Sequence, residues 1–110
     1  MINTANFRII GRIGSINTLD KVTHISIASD RRTKDQDGKW ITSANWNSVT
    51  VLSAKLRKRL QDDTVSRHGN LVAVEGSIQS SAYEKDGEKH YSTSLVVQDF
   101  EILNFARPSE

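Results

Sequence analysis

Apolar and polar residues alternate with period two through most of the chain, and the pattern breaks once, just past the middle. In "NFRIIGRIGSI", Phe7, Ile9 and Ile13 fall on one side and Arg8, Ile10 and Arg12 on the other, with Gly11 placed where a strand would bulge or bend. The run "KVTHISIASDRR" sets Ile25 and Ile27 against His24, Ser26 and Ala28. From Trp40 to Leu52, Val49 and Val51 oppose Trp46, Ser48 and Thr50, and Trp40 shares the parity of Trp46. If no bulge intervenes, both tryptophans stand on the polar face. The turn signal "KDQDGK" joins the second and third runs.

After Leu52 the period lengthens to nearly four. Leu52, Leu56 and Leu60 form one helical stripe, and "KLRKR" supplies good helix formers, so a short helix is predicted, with Gly69 stopping it or shaping the loop beyond. Alternation then resumes in a hairpin, "LVAVEGSIQSSAYEKDGEKHYSTSLVV". On its first arm Val72, Val74, Ile78 and Ala82 share one register, and Glu75, Ser77, Gln79, Ser81 and Tyr83 the other. On the return arm Tyr91, Thr93, Leu95 and Val97 fall together against Ser92, Ser94 and Gln98. Parity therefore separates the two tyrosines: Tyr83 is expected on the polar face and Tyr91 in the core. Phe100, Ile102 and Leu103 extend the last strand after a bulge.

Three strands, a helix and two strands, in 110 residues, predict one all-β domain. This order is that of the OB-fold, a five-stranded Greek-key barrel with a short helix between strands 3 and 4, which commonly binds oligonucleotides through strands 2 and 3 and the flanking loops. The domain is expected over residues 1–105, with 106–110 as a short C-terminal tail.

Charge sharpens the picture. The net charge of +2 conceals an asymmetry: residues 1–60 carry eleven Lys or Arg against four Asp or Glu, and residues 61–110 carry four against nine. A basic side of this kind suits a polyanion, although solvated charged faces are also common. The chain has no cysteine, which excludes a disulfide scaffold and a thiolate metal site and fits a reducing compartment. No apolar run reaches the length of a membrane span, and "MINTANFRII" lacks the features of a signal peptide. A cytoplasmic protein without membrane association is expected.

Other chemistry finds little support. "DQDG" resembles the opening of a calcium loop but lacks the later ligands, and "GRIG" has the spacing of a KH clamp but lies in a strand pattern. His24, His68 and His90 are isolated, with no carboxylate at metal spacing and no nucleophile paired to a base. Neither catalytic residues, nor a metal, nor a cofactor is assigned. A protonated His68 could add a phosphate contact.

The segments "FRIIGRIGSI", "HISIAS", "NWNSVTVLSAKL", "NLVAVEGSI" and "DGEKHYSTSLVV", in that order and spacing, resemble the bacterial single-stranded DNA-binding proteins over nearly the whole chain. The most specific pieces are the Trp46 strand followed by the helix start at Lys55-Leu56, and "VAVEGSI" ahead of an aromatic and "HYSTSLVV". The resemblance implies a non-catalytic barrel, a homo-oligomer (tetramer or dimer), that binds single-stranded DNA without sequence preference in replication, recombination or repair. Bases stack on exposed rings because every base has a π-face, while Lys and Arg track the phosphates. Trp46 matches a stacking tryptophan of the family, and Tyr83 matches another stacking position with Tyr for the usual Trp.

The chain also departs from the family pattern. A stacking aromatic expected at the end of strand 2 is Arg32 or Thr33, one at the end of strand 3 is Leu52, and arginines usually interleaved before Tyr83 are Gln79 and Ser81. Arg31, Arg32, Lys34, Lys55 and Arg67 are candidates to offset the loss through phosphate contacts, or else form solvated faces. Trp40 is either a replacement platform or a subunit contact, and Trp46 too could cover an interface. The family's long linker and acidic tip do not follow "LNFARPSE", so a tail-less form without tip-mediated recruitment of other proteins is expected. The competing reading is a primosome-type accessory protein of the same fold, bridging DNA and replication proteins with few stacking aromatics.

Overall fold

The computed structural model describes residues 4–107, so positions 108–110 of the expected tail lie outside the described residues. Five strands and one helix follow in the order β1 (Asn6–Thr18), β2 (Thr23–Lys34), β3 (Trp40–Val51), α1 (Ala54–Arg59), β4 (Leu71–Lys85) and β5 (Glu88–Asn104). The strands close into a barrel in the order β1-β2-β3-β5-β4. This is the five-stranded OB-fold with its helix between β3 and β4. Four of the five seams are antiparallel; β3 and β5 meet in parallel at a single pair, Thr50 with Val96.

Inward parity fills the barrel. Ile13, Ile25, Ile27, Val49, Val51, Val72 and Val74 are all buried, and burial of such aliphatic side chains contributes about 1.5–3 kcal/mol each. Gly11 also faces inward, where a Cβ would collide with the backbone of Ala28 and lie 2.9 Å from Cγ2 of Ile27. Its role is close approach, whereas the bulge of β1 falls at Gly14, between Ile13 and Ser15. In β5 the register shifts opposite Glu75 and Gly76, after which Phe100 returns to the core.

The helix is shorter than its stripe. Ser53 caps it, its hydroxyl accepting from the Leu56 amide at 3.4 Å, so Leu52 precedes the cap and is exposed instead of joining Leu56 and Leu60 in the core. Arg57 ties the helix to the β1–β2 turn by donating to the carbonyls of Leu19 and Asp20 at 3.0 and 2.8 Å. Gly69, at φ +91, shapes the loop before β4 and does not stop the helix. Beside it the buried Asn70 donates to the carbonyls of Thr64 and Val65 and accepts from the Ala106 amide at 2.7 Å. The chain after β5 is thereby fastened to this loop.

Two ribbons leave the barrel. Beyond Ser29 and Asn47 the β2–β3 pair is exposed on both faces, and the same holds, apart from the half-buried His90, for the β4–β5 pair beyond Ile78 and Ser94 to the Lys85–Glu88 turn. Tyr91 belongs to the second ribbon, opposite Ala82, and is 72% exposed. The expectation that it lies in the core is therefore wrong: its parity is that of the core face, but at this height no core remains beneath it. Ile78 and Ala82, placed in the same register, are exposed for the same reason. Among the described residues no helix is long and apolar enough to cross a membrane.

Candidate nucleic-acid interface

β2 and β3 pair without interruption from Thr23 opposite Val51 to Lys34 opposite Trp40. With no bulge, strand alternation keeps Ala28, Asp30, Arg32 and Lys34 on one face with Trp46, Ala44, Thr42 and Trp40. Both tryptophans are 59% exposed there. They lie six positions apart, which spans about 20 Å along a strand.

Each indole has its own support. Trp46 reaches across β2 onto Gly14 of β1, where a Cβ would collide with Cζ3 of the ring and lie 2.9 Å from Cη2. Glycine there leaves a shallow seat in the sheet. Ser26 borders it, accepting from the Ser15 amide at 3.0 Å and sharing a 2.9 Å hydroxyl contact with Ser15. Trp40 is flanked by cations: the Arg32 guanidinium lies 5.0 Å and the Lys34 ammonium 5.1 Å from its ring centroid. A cation over an indole face is attractive by about 0.5–1 kcal/mol at an exposed site.

The remaining candidate residues are not all gathered here. Arg31 has odd parity and stands on the opposite face of the ribbon, with Thr33 and Ile41. Lys55 is exposed on the first turn of α1. Arg67 is half-buried and donates to the Ala106 carbonyl at 3.1 Å, so part of its donor set serves the fold.

Tyr83 lies on the second ribbon, 50% exposed, stacked on His90 directly across the strand pair with ring centroids 5.4 Å apart and planes inclined at 21°. Gln79 and Ser81 share its face, and together with Thr50, Leu52, Ser80, Ser94 and Val96 they line a shallow groove between the end of β3 and the β4–β5 ribbon. Thr50 has the parity of Trp46, whereas Gln79 and Ser81 have that of Tyr83. The groove thus connects the tryptophan face to the tyrosine face. Two elements of this surface escaped the sequence reading, the Gly14 seat and the His90 ring. His90 was legible in principle, because the two-residue Asp86-Gly87 turn, with φ of 55 and 78, sets Tyr83 opposite it.

Among the described residues no group of three or more His, Asp or Glu could hold a metal ion. In "DQDG" the Asp35 carboxylate accepts from the Asp37 and Lys39 amides, both at 2.9 Å, as a turn residue does. Hydrogen bonds from the Thr64 hydroxyl at 2.7 Å and the Thr64 amide at 2.9 Å hold the Asp62 carboxyl below its usual value.

Residues 5–103 match the single-strand binding protein family. The chain belongs to that family. A single-stranded DNA-binding protein of Streptococcus pyogenes is 33% identical over 82 residues, which are 74% of this chain and 59% of that protein. The chain therefore spans 59% of the length of the curated relative it matches, as it does for a Streptococcus agalactiae homologue at 32% identity. A mitochondrial single-stranded DNA binding protein from S. cerevisiae has the same fold at 29% identity, with a TM-score of 0.69 covering 96% of this chain and all (100%) of that one. A Plasmodium falciparum SSB solved in complex with ssDNA superposes with a TM-score of 0.70 over 94% of this chain and 98% of that one, at 21% identity.

Proposed function

We propose that this protein binds single-stranded DNA independently of sequence and without catalysis, in the replication, recombination or repair processes that expose such strands. The observation that carries the reading is the shared face of Trp40 and Trp46, two exposed indoles on one uninterrupted ribbon with Arg32 and Lys34 between and beside them. Stacked bases contribute about 1–3 kcal/mol each, and a ring accepts any base. The strand would run from Trp40 past Trp46, through the groove at Leu52, to Tyr83. Family membership supports this reading. Titration with oligo-dT tests it through tryptophan emission: strong quenching supports stacking, whereas binding with unchanged emission favours the accessory-protein reading.

A homo-oligomer, tetramer or dimer, is part of the same proposal. The Asn6 to Gly11 half of β1 pairs with β4 on one side, while pairing with β2 begins only at Arg12. Among the described residues its other edge is open, and a second copy can pair there about a two-fold axis. Light scattering at micromolar concentration should exceed the monomer mass of 12.3 kDa. A cytoplasmic site of action belongs to this reading, and cell fractionation tests it.

A further inference from the structure

His90 completes the Tyr83 platform in a way that the stacking argument alone does not use. Its side chain is 41% exposed and its ring stacks on that of Tyr83, so the pair makes one aromatic shelf on the β4–β5 ribbon, with an ionisable edge. Near the tip this face is poor in positive charge. Lys85 stands opposite Glu88, Asp86 occupies the turn, and Glu88 Oε2 lies 4.0 Å from His90 Nε2. Below the shelf, Ser81 and Ser92 share a 3.2 Å hydroxyl contact and Gln79 follows, none of them charged. With a neutral imidazole the tip, counting the Glu84–Lys89 pair next to it, therefore carries two cations against three carboxylates and repels a phosphate. Protonation of His90 brings it to balance and points a charged N–H donor along the shelf edge. Glu88 is 80% exposed and on a free side chain, so it can yield that donor to a ligand.

We infer that His90 is a ligand-contacting residue, its ring extending the Tyr83 stacking surface and its protonated form binding the phosphodiester of the nucleotide stacked there. The inference rests on the proposed single-strand binding and adds one phosphate contact that forms only when His90 is charged. A contact that requires the charged imidazole makes affinity rise as pH falls.

The test is a salt-resolved titration with oligo-dT, whose bases carry no group that titrates in this range, at about pH 5.5 and 8. The wild type should bind about two- to fivefold more tightly at the lower pH, the worth of an exposed charge pair. Its log K versus log salt slope should steepen by about 0.7, one phosphate on a single strand. His90→Gln should lose that pH-dependent increment, while any contribution of His24 and His68 stays in both proteins and cancels in the comparison. His90→Phe, which retains an aromatic ring beside Tyr83, should likewise lose the increment. Glu88→Gln should tighten binding at both values. If the wild type binds oligo-dT but its pH response and slope equal those of His90→Gln, the inference is overturned and the ring pair only stabilises the ribbon. If the wild type binds no oligo-dT at either pH, the proposed function fails and the inference with it.

Discussion

The indole of Trp46 rests on Gly14: any side chain at residue 14 would collide with the six-membered ring. The proposed stacking surface is thus built by two strands, one supplying the ring and the other the absence of a side chain. Trp46→Ala should weaken single-strand binding by about 1–3 kcal/mol. Gly14→Val should reproduce part of that loss by lifting the ring from its seat, with a matching fall in tryptophan quenching by oligo-dT. An unchanged affinity in both variants would mean that Trp46 serves packing or assembly.

The basic arm divides by parity. Arg32 and Lys34 share the face of Trp40, and Arg31 does not. Replacing all three by Ala should flatten the log K versus log salt slope, and most of the change should come from Arg32 and Lys34, about 0.7 for each phosphate. Arg31→Ala alone should leave the slope near wild type. A triple variant with the wild-type slope would shift the phosphate contacts to Lys55 and the helix side.

How far the sequence carries depends on what lies under each strand. Parity alone puts Trp40 and Trp46 on one face, and this holds because β3 pairs with β2 over its whole length without a bulge. Tyr91 has equally clear parity for the core face, yet it stands exposed. Alternation tells which face a residue occupies, but only the three-dimensional path tells whether that face is still covered, and the β4–β5 ribbon outruns the barrel. Leu52 failed for a related reason: its spacing to Leu56 and Leu60 is helical, but the Ser53 cap begins the helix after it. That the bulge falls at Gly14 and not at Gly11 has no local signal, since close approach and a bulge both call for glycine and only the neighbouring strand distinguishes them.

Gln79 and Ser81 line the groove that connects the tryptophan and tyrosine faces, and neither carries charge. Changing both to Arg should tighten single-strand binding and steepen the salt slope by about 1.4, two phosphates' worth. Binding that stays constant on this double change, measured by the same titration, would place the strand outside the groove.

Asp62 offers a control on the loop before β4. Its carboxyl is held below the usual carboxylate value by Thr64, so the folded state binds this proton more weakly than the unfolded chain, and the resulting stability is present above the unfolded value and lost as pH falls through the lowered folded one. Asp62→Ala should therefore lower Tm at neutral pH, and the gap to wild type should close in acid below the usual carboxylate range. Thermal melts across that range check this, and a gap independent of pH would remove the carboxylate as its source.

The central claim is that free base faces are what the protein recognises. It is tested most directly by equilibrium binding to single-stranded and duplex DNA of equal length and sequence at one salt concentration. Stacking on Trp46, Trp40 and Tyr83 requires unpaired bases, so the single strand should bind far more tightly, with quenched tryptophan emission, while the duplex should show only weak, salt-sensitive association. Equal affinity for the two, with emission unchanged, would contradict the account.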